Sequence, residues 1–136
     1  MAEANAQVVA LLDDVESRFG AAGDRLVLGG FSQGAMLALD VAVRSSRPLA
    51  ALCLLSGTLL CADVWTPLLD RLRAIPVFQS HGAADPLLPF SAAARLHELL
   101  VAARVELEWV PFQGGHEIPN AVLGRLKPFL ARALGL

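Results

Sequence analysis

Gly30-Phe31-Ser32-Gln33-Gly34 places a serine between two glycines, each two residues away, a spacing that suits a nucleophile carried on a sharp turn. The apolar run Leu26-Val27-Leu28 precedes it and Ala35, Met36, Leu37, Ala38 and Leu39 follow, so the order is strand, tight turn, helix. Such a reversal presses the residues on either side of the serine against neighbouring backbone. Gly30 and Gly34 are expected to relieve that collision by having no side chain. Ser32 then falls at a helix N-terminus, whose free N–H groups and partial positive charge stabilise a developing oxyanion, with the Gln33 N–H as the nearest donor. A serine hydroxyl is a weak nucleophile by itself. It needs a base to take its proton and a further group to orient that base.

Two other segments offer such groups. His81-Gly82-Ala83-Ala84-Asp85-Pro86 follows one apolar run, and Gly114-Gly115-His116-Glu117 follows another, giving the chain order serine, acid, histidine. Residue type alone leaves His81 and His116 as possible bases, and Asp85, Asp63 and Glu117 as possible acids. His97, between Leu96 and Glu98 in a helical pattern, reads as a solvated surface residue. Leu59, Leu60, Leu87, Leu88 and Ile118 follow the same strand ends and are the candidates for lining an apolar acyl site, with half or more of them plain core. Trp65 and Trp109 read as core or half-buried anchors.

The elements that position these groups alternate. Helical spacing of Val8, Leu11, Leu12, Val15 and Phe19 predicts a helix over about 4 to 19 with one buried stripe, ended by Gly20 to Gly23. A strand over Arg25 to Gly29 and a helix over Ser32 to about Arg44 flank the turn. Then come a strand Ala50 to Leu55, a short helix Val64 to Leu72 with Pro67 in its first turn, a strand Pro76 to Ser80 and a helix Phe90 to Ala102. A strand Val105 to Val110 and a helix Ile118 to Leu134, bent or interrupted near Pro128, complete the chain. The alternation predicts a single domain over 1–136 with a three-layer α/β/α fold, a mostly parallel sheet of about four strands and right-handed crossovers. In such sheets functional groups gather at the C-terminal ends of the strands.

Composition narrows the chemistry. The chain has 136 residues, a net charge of −2 and no basic run, so nothing in it marks a nucleic-acid or anionic-membrane surface. No apolar run approaches the length of a membrane span, and a cytoplasmic location is expected. Cys53 and Cys61 make neither a disulfide scaffold nor a metal-ligand cluster and are expected as reduced thiols. Hydrophobic residues make up 55% of the chain, a share that suits apolar strands covered on both faces.

The words GGFSQGAM, LLSG, VFQSHGAADPLLP and GGHEIP, in this order and at these separations, resemble the α/β-hydrolase superfamily. Within it the likeness is to the phospholipase/carboxylesterase branch of small carboxylesterases and acyl-protein thioesterases, and it covers nearly all of the chain from about residue 4. The resemblance implies a serine carboxylic-ester hydrolase acting on short apolar acyl esters through an acyl-enzyme, with no metal or organic cofactor. An acyl-protein thioesterase or lysophospholipase-type deacylase, or an inactive fragment serving as an interaction module, are the alternatives it leaves. Residue by residue it implies Ser32 as nucleophile, Asp85 as orienting acid, His116 as base and the Gln33 N–H as oxyanion donor. His81 becomes a structural turn residue that braces the acid loop. Members usually carry several strands before the helix that precedes the elbow, with an HG loop as the second oxyanion donor. This sequence is therefore expected to be a truncated α/β-hydrolase fold, whose uncharged LVLGG strand is left as a bare edge. A homodimer through that strand or the first helix follows as an expectation.

Overall fold

The expected first helix forms as α1, Ala2–Phe19, and Gly20 closes it in the left-handed region at φ 60°, where glycine has no side chain to collide. The structure, a computed structural model, describes residues 1–20 and 23–136, so part of the predicted stop between Gly20 and Gly23 lies outside the described residues. Of the apolar stripe only Leu12 is fully buried, while Leu11 and Phe19 face solvent.

The remaining elements are β1 Val27–Phe31, α2 Gln33–Ser45, β2 Ala51–Leu55, α3 Ala62–Trp65, β3 Val77–Gly82, α4 Phe90–Ala102, β4 Leu107–Phe112 and α5 Asn120–Ala133. All strand pairings are parallel, in the order β1-β2-β3-β4. Three strands sit later than the sequence predicts. Pairing continues beneath the chemically loaded turns, so Phe31 is opposite Leu55, and His81 and Gly82 are opposite Pro111 and Phe112. Pro111 lacks an N–H, which an edge strand tolerates. The predicted helix over Val64 to Leu72 divides into the short α3 and a tighter 3₁₀ segment, Thr66–Leu72, with Pro67 in its first turn. α5 runs unbroken through Pro128. Residue 124, four positions earlier, is an exposed glycine, so its unpaired carbonyl can be solvated.

Side-chain alternation sorts the strands into two cores. Leu52, Leu54 and Val77 point toward α2, α3 and α4, joining Leu39, Trp65, Leu69, Leu96 and Leu100. Their neighbours Ala51, Cys53, Phe78 and Val110 point the other way and pack on Val122 and Phe129 of α5. Burial pushes the Cys53 thiol up to about 12, which leaves it an inert apolar filler.

One charge sits inside the larger layer. Asp40 of α2 is fully buried and accepts hydrogen bonds of 2.8 Å from Asn5 Nδ2, Arg44 Nε and Trp65 Nε1, so a single carboxylate joins α1, α2 and α3. Burial alone would raise its pKa, but the Arg44 guanidinium, the indole N–H and the Asn5 amide outweigh burial and hold it below the ordinary 3.8. A carboxylate depressed in the folded state stabilises above its unfolded pKa and loses that effect as pH falls through the folded value. Asp40→Asn should therefore cost about 2–3 kcal/mol at pH 7, because it sets an amide N–H₂ among donors. The deficit relative to wild type should shrink below pH 3.8. Urea melts of both proteins at pH 7 and pH 3 check this, and a pH-independent gap would contradict it.

Candidate active site

Ser32 stands between β1 and α2 with φ 59° and ψ −122°, a left-handed backbone that a serine adopts only under constraint. Its N–H is tied to the Leu55 carbonyl at 2.8 Å, and its own carbonyl accepts from Ala35 at 3.0 Å. The turn is tight on one side only. A Cβ on Gly30 would lie 2.2 Å from the backbone carbon and oxygen of Gly34, whereas one on Gly34 would meet nothing within 4 Å. The expectation that both glycines relieve a collision therefore holds for Gly30 and fails for Gly34, whose side-chain direction points into open space.

His116 arrives from the loop after β4. Ser32 Oγ–H donates to its Nε2 at 2.9 Å, and its Nδ1–H donates to Asp85 Oδ2 at 2.7 Å. A carboxylate can only accept, so the hydrogen-bond network assigns the imidazole proton to Nδ1 and leaves Nε2 free to receive one. The Asp85 side chain is wholly buried, and its Oδ1 takes the N–H groups of Leu87 and Leu88, each at 2.9 Å. Burial raises its pKa, but the Leu88 N–H, the His116 ring and the Leu87 N–H more than offset this and hold it below the ordinary carboxylate value. Phe31 lays its ring against His116 at 4.8 Å between centroids. Sequence reasoning passed over this residue, and the signal available was an aromatic directly before the serine, at the first x of G-x-S-x-G.

The rival groups stand elsewhere. His81 is buried in β3 and its Nε2–H donates to the Leu88 carbonyl at 2.9 Å, with Asp85 Oδ2 at 3.3 Å, so it touches the acid from behind. Asp63 is exposed at the start of α3. The Glu117 carboxylate turns back to the Gly115 N–H at 3.4 Å. His97 is half-buried and stacked on Trp109 at 4.9 Å, not solvated as predicted, because Trp109 offers it a flat apolar face. Trp65 is core and Trp109 half-buried, as predicted.

The first N–H groups of α2, those of Gln33 and Gly34, have no backbone acceptor among the described residues, as the first turn of any helix requires. A hollow of about 310 Å³ opens beside them, lined by Met1, Ala4, Gln33, Gly34 and Leu37. None of the five apolar candidates lines it. Leu59 and Leu88 pack into the larger core layer, Ile118 into the α5 layer, and Leu60 and Leu87 are exposed. Among the described residues no cluster of three or more His, Cys, Asp or Glu side chains is arranged to hold a metal ion.

The family model described as phospholipase/carboxylesterase matches residues 2–134. The chain belongs to that family. Acyl-protein thioesterase 1 of Gibberella zeae is 30% identical over 115 residues, which is 82% of this chain and 49% of the relative. Lysophospholipase-like protein 1 of Mus musculus is 31% identical over 131 residues, 94% of this chain and 55% of the relative. The crystal structure of esterase PE8 superposes with a TM-score of 0.82 at 29% identity, covering 92% of this chain and 58% of that one. This family member thus spans about half the length of the curated relatives it matches, and its four parallel strands and packed helices are those of an α/β-hydrolase fold.

The one-sided turn gives a paired test. Gly30→Ala should cost about 3 kcal/mol or more, since the added carbon overlaps backbone, whereas Gly34→Ala should be neutral or stabilising by up to about 1 kcal/mol. Chemical denaturation of the two variants reads the difference directly, and equal losses would mean that the elbow does not have this geometry.

Proposed function

We propose that this chain is a serine esterase that cleaves carboxylic esters of short apolar acyl groups through a Ser32 acyl-enzyme. The observation that carries the reading is the unbroken hydrogen-bond series from Ser32 Oγ through His116 to the buried Asp85 carboxylate, at 2.9 and 2.7 Å. Ser32 Oγ attacks the acyl carbonyl carbon as its proton passes to His116 Nε2, and Asp85 stabilises the resulting imidazolium. The tetrahedral oxyanion faces the Gln33 N–H. The C–O bond to the alcohol breaks as the imidazolium protonates the leaving oxygen. A water then enters, gives a proton to His116 and attacks the acyl-enzyme, releasing the acid and restoring Ser32.

A second reading, hydrolysis of acyl thioesters, is favoured by the relatives that carry the name acyl-protein thioesterase 1. The same steps serve it, with a thiol as leaving group. The ratio of kcat/KM for matched oxygen-ester and thioester substrates decides between them. Among the five apolar candidates, Leu60 and Leu87 are the ones open to a passing acyl chain. A cytoplasmic location belongs to the same proposal and is supported by Cys53 and Cys61 remaining free thiols.

Self-association completes the proposal. β1 pairs only with β2, its far edge carries no strand among the described residues, and α1 presents Leu11 at 59% and Phe19 at 78% exposure nearby in the chain. A homodimer through β1 would pair that edge, and one through α1 would bury those two side chains.

Ser32→Ala and His116→Ala should each lower kcat on p-nitrophenyl acetate by about 10⁴-fold or more while leaving the fold intact. A fluorophosphonate probe should label wild type stoichiometrically at Ser32. Wild-type turnover in Ser32→Ala would refute the esterase reading. Light scattering at micromolar concentration should give twice the 14.4 kDa chain mass, and a clean monomer would refute the dimer.

A further inference from the structure

β1 and β4 are the two edges of the sheet, so the serine and the histidine start from opposite sides. To bring His116 to Ser32, the loop after β4 has to cross the C-terminal ends of β3 and β2. Over β3 the crossing is secured several times. Ala83 and Ala84 donate to the carbonyls of Phe112 and Gly114 at 2.8 and 2.9 Å, and Asp85 takes the His116 Nδ1–H. Beyond the imidazole no such backbone ladder continues among the described residues. At the end of β2, Ser56 Oγ–H donates to the carbonyl of Glu117, the residue after the histidine, at 3.3 Å.

Ser56 has three properties that a mere turn residue does not need together. Its side chain is completely buried, it holds a left-handed φ of 54° that glycine would adopt without strain, and its hydroxyl is aimed at the histidine loop. The turn is also fixed from both sides, by β3 and by the elbow. The Ser56 N–H is bound to the Ser80 carbonyl at 2.9 Å, and a Cβ on Gly57 would lie 2.6 Å from the Ala35 side chain and 3.5 Å from the Ser32 carbonyl. The Ser56-Gly57 turn is thus wedged against the elbow while its hydroxyl reaches the loop that carries the base.

We propose that Ser56 is a positioning residue, whose hydroxyl gauges the separation between the elbow and the His116 loop and so keeps His116 Nε2 within reach of Ser32 Oγ. The inference rests on the esterase reading above, and it predicts that stability and activity separate at this position. Ser56→Gly removes the hydroxyl and relieves the left-handed backbone, whereas Ser56→Ala removes the hydroxyl alone. Both should lose about tenfold in kcat on p-nitrophenyl acetate with KM unchanged, in line with the loss of one hydrogen bond. The thermal midpoint of Ser56→Gly should lie at or above that of Ser56→Ala. In ¹⁵N-histidine-labelled protein the Nδ1 proton of His116 should exchange with water faster in both variants than in wild type. Wild-type kcat and wild-type exchange in a folded Ser56→Gly would overturn the proposal, as would loss of the fold in both variants, which would make Ser56 a core residue instead. If wild type itself neither turned over ester nor took up the fluorophosphonate, the esterase reading would fail, and the exchange measurement would still decide the role of Ser56.

Discussion

A buried carboxylate is unstable unless donors surround it, and the arrangement around Asp85 follows from meeting that demand. Its two oxygens receive the backbone N–H groups of Leu87 and Leu88 and the His116 ring, with His81 close behind. The first pair folds the loop after β3 back on its own acid. The ring ties that loop to the one after β4. His81 in turn donates to the Leu88 carbonyl, so Leu88 is held at both its polar atoms. The charge therefore defines where three separate stretches of backbone stand. Only then does the imidazole present its unprotonated nitrogen to Ser32.

The sheet imposes the second constraint. Because all four strands run in parallel, their C-terminal ends lie along one rim, where Ser32, Ser56 and the loops that carry Asp85 and His116 stand together. Glycines are kept where those loops press on one another. A Cβ on Gly82 would lie 2.2 Å from the Gly115 carbonyl oxygen, so the acid loop and the histidine loop can touch only without it. Asp40 performs a comparable task away from the rim, where one carboxylate holds α1 and α3 to the helix that follows Ser32.

Much of this was legible in the sequence because it depends on local pattern. Strand, turn and helix around Ser32, the extent of α4 and the order of the loaded loops all follow from composition and spacing over a few residues. The strand limits did not, since the register with a neighbour, such as His81 opposite Pro111, is a property of the pair. The same holds for Gly34, whose expected crowding depends on what lies above it, and for His97, which leaves water because Trp109 is there to stack on. The five apolar candidates do not gather on one surface, which again depends on tertiary packing. Leu59 and Ile118 both follow strand ends, but the loops that carry them pack into opposite core layers.

Eighty-four residues separate Ser32 from the histidine that meets it. During synthesis the elbow emerges first and its base last, and parallel pairing of this kind forms slowly because distant segments have to find one another. Until β4 docks on β3, the serine is an ordinary alcohol on an unfinished sheet. In the mechanism proposed above, a nucleophilic serine therefore comes into being only when β4 has reached its place, and uptake of an acyl group at Ser32 would report the docking of that strand.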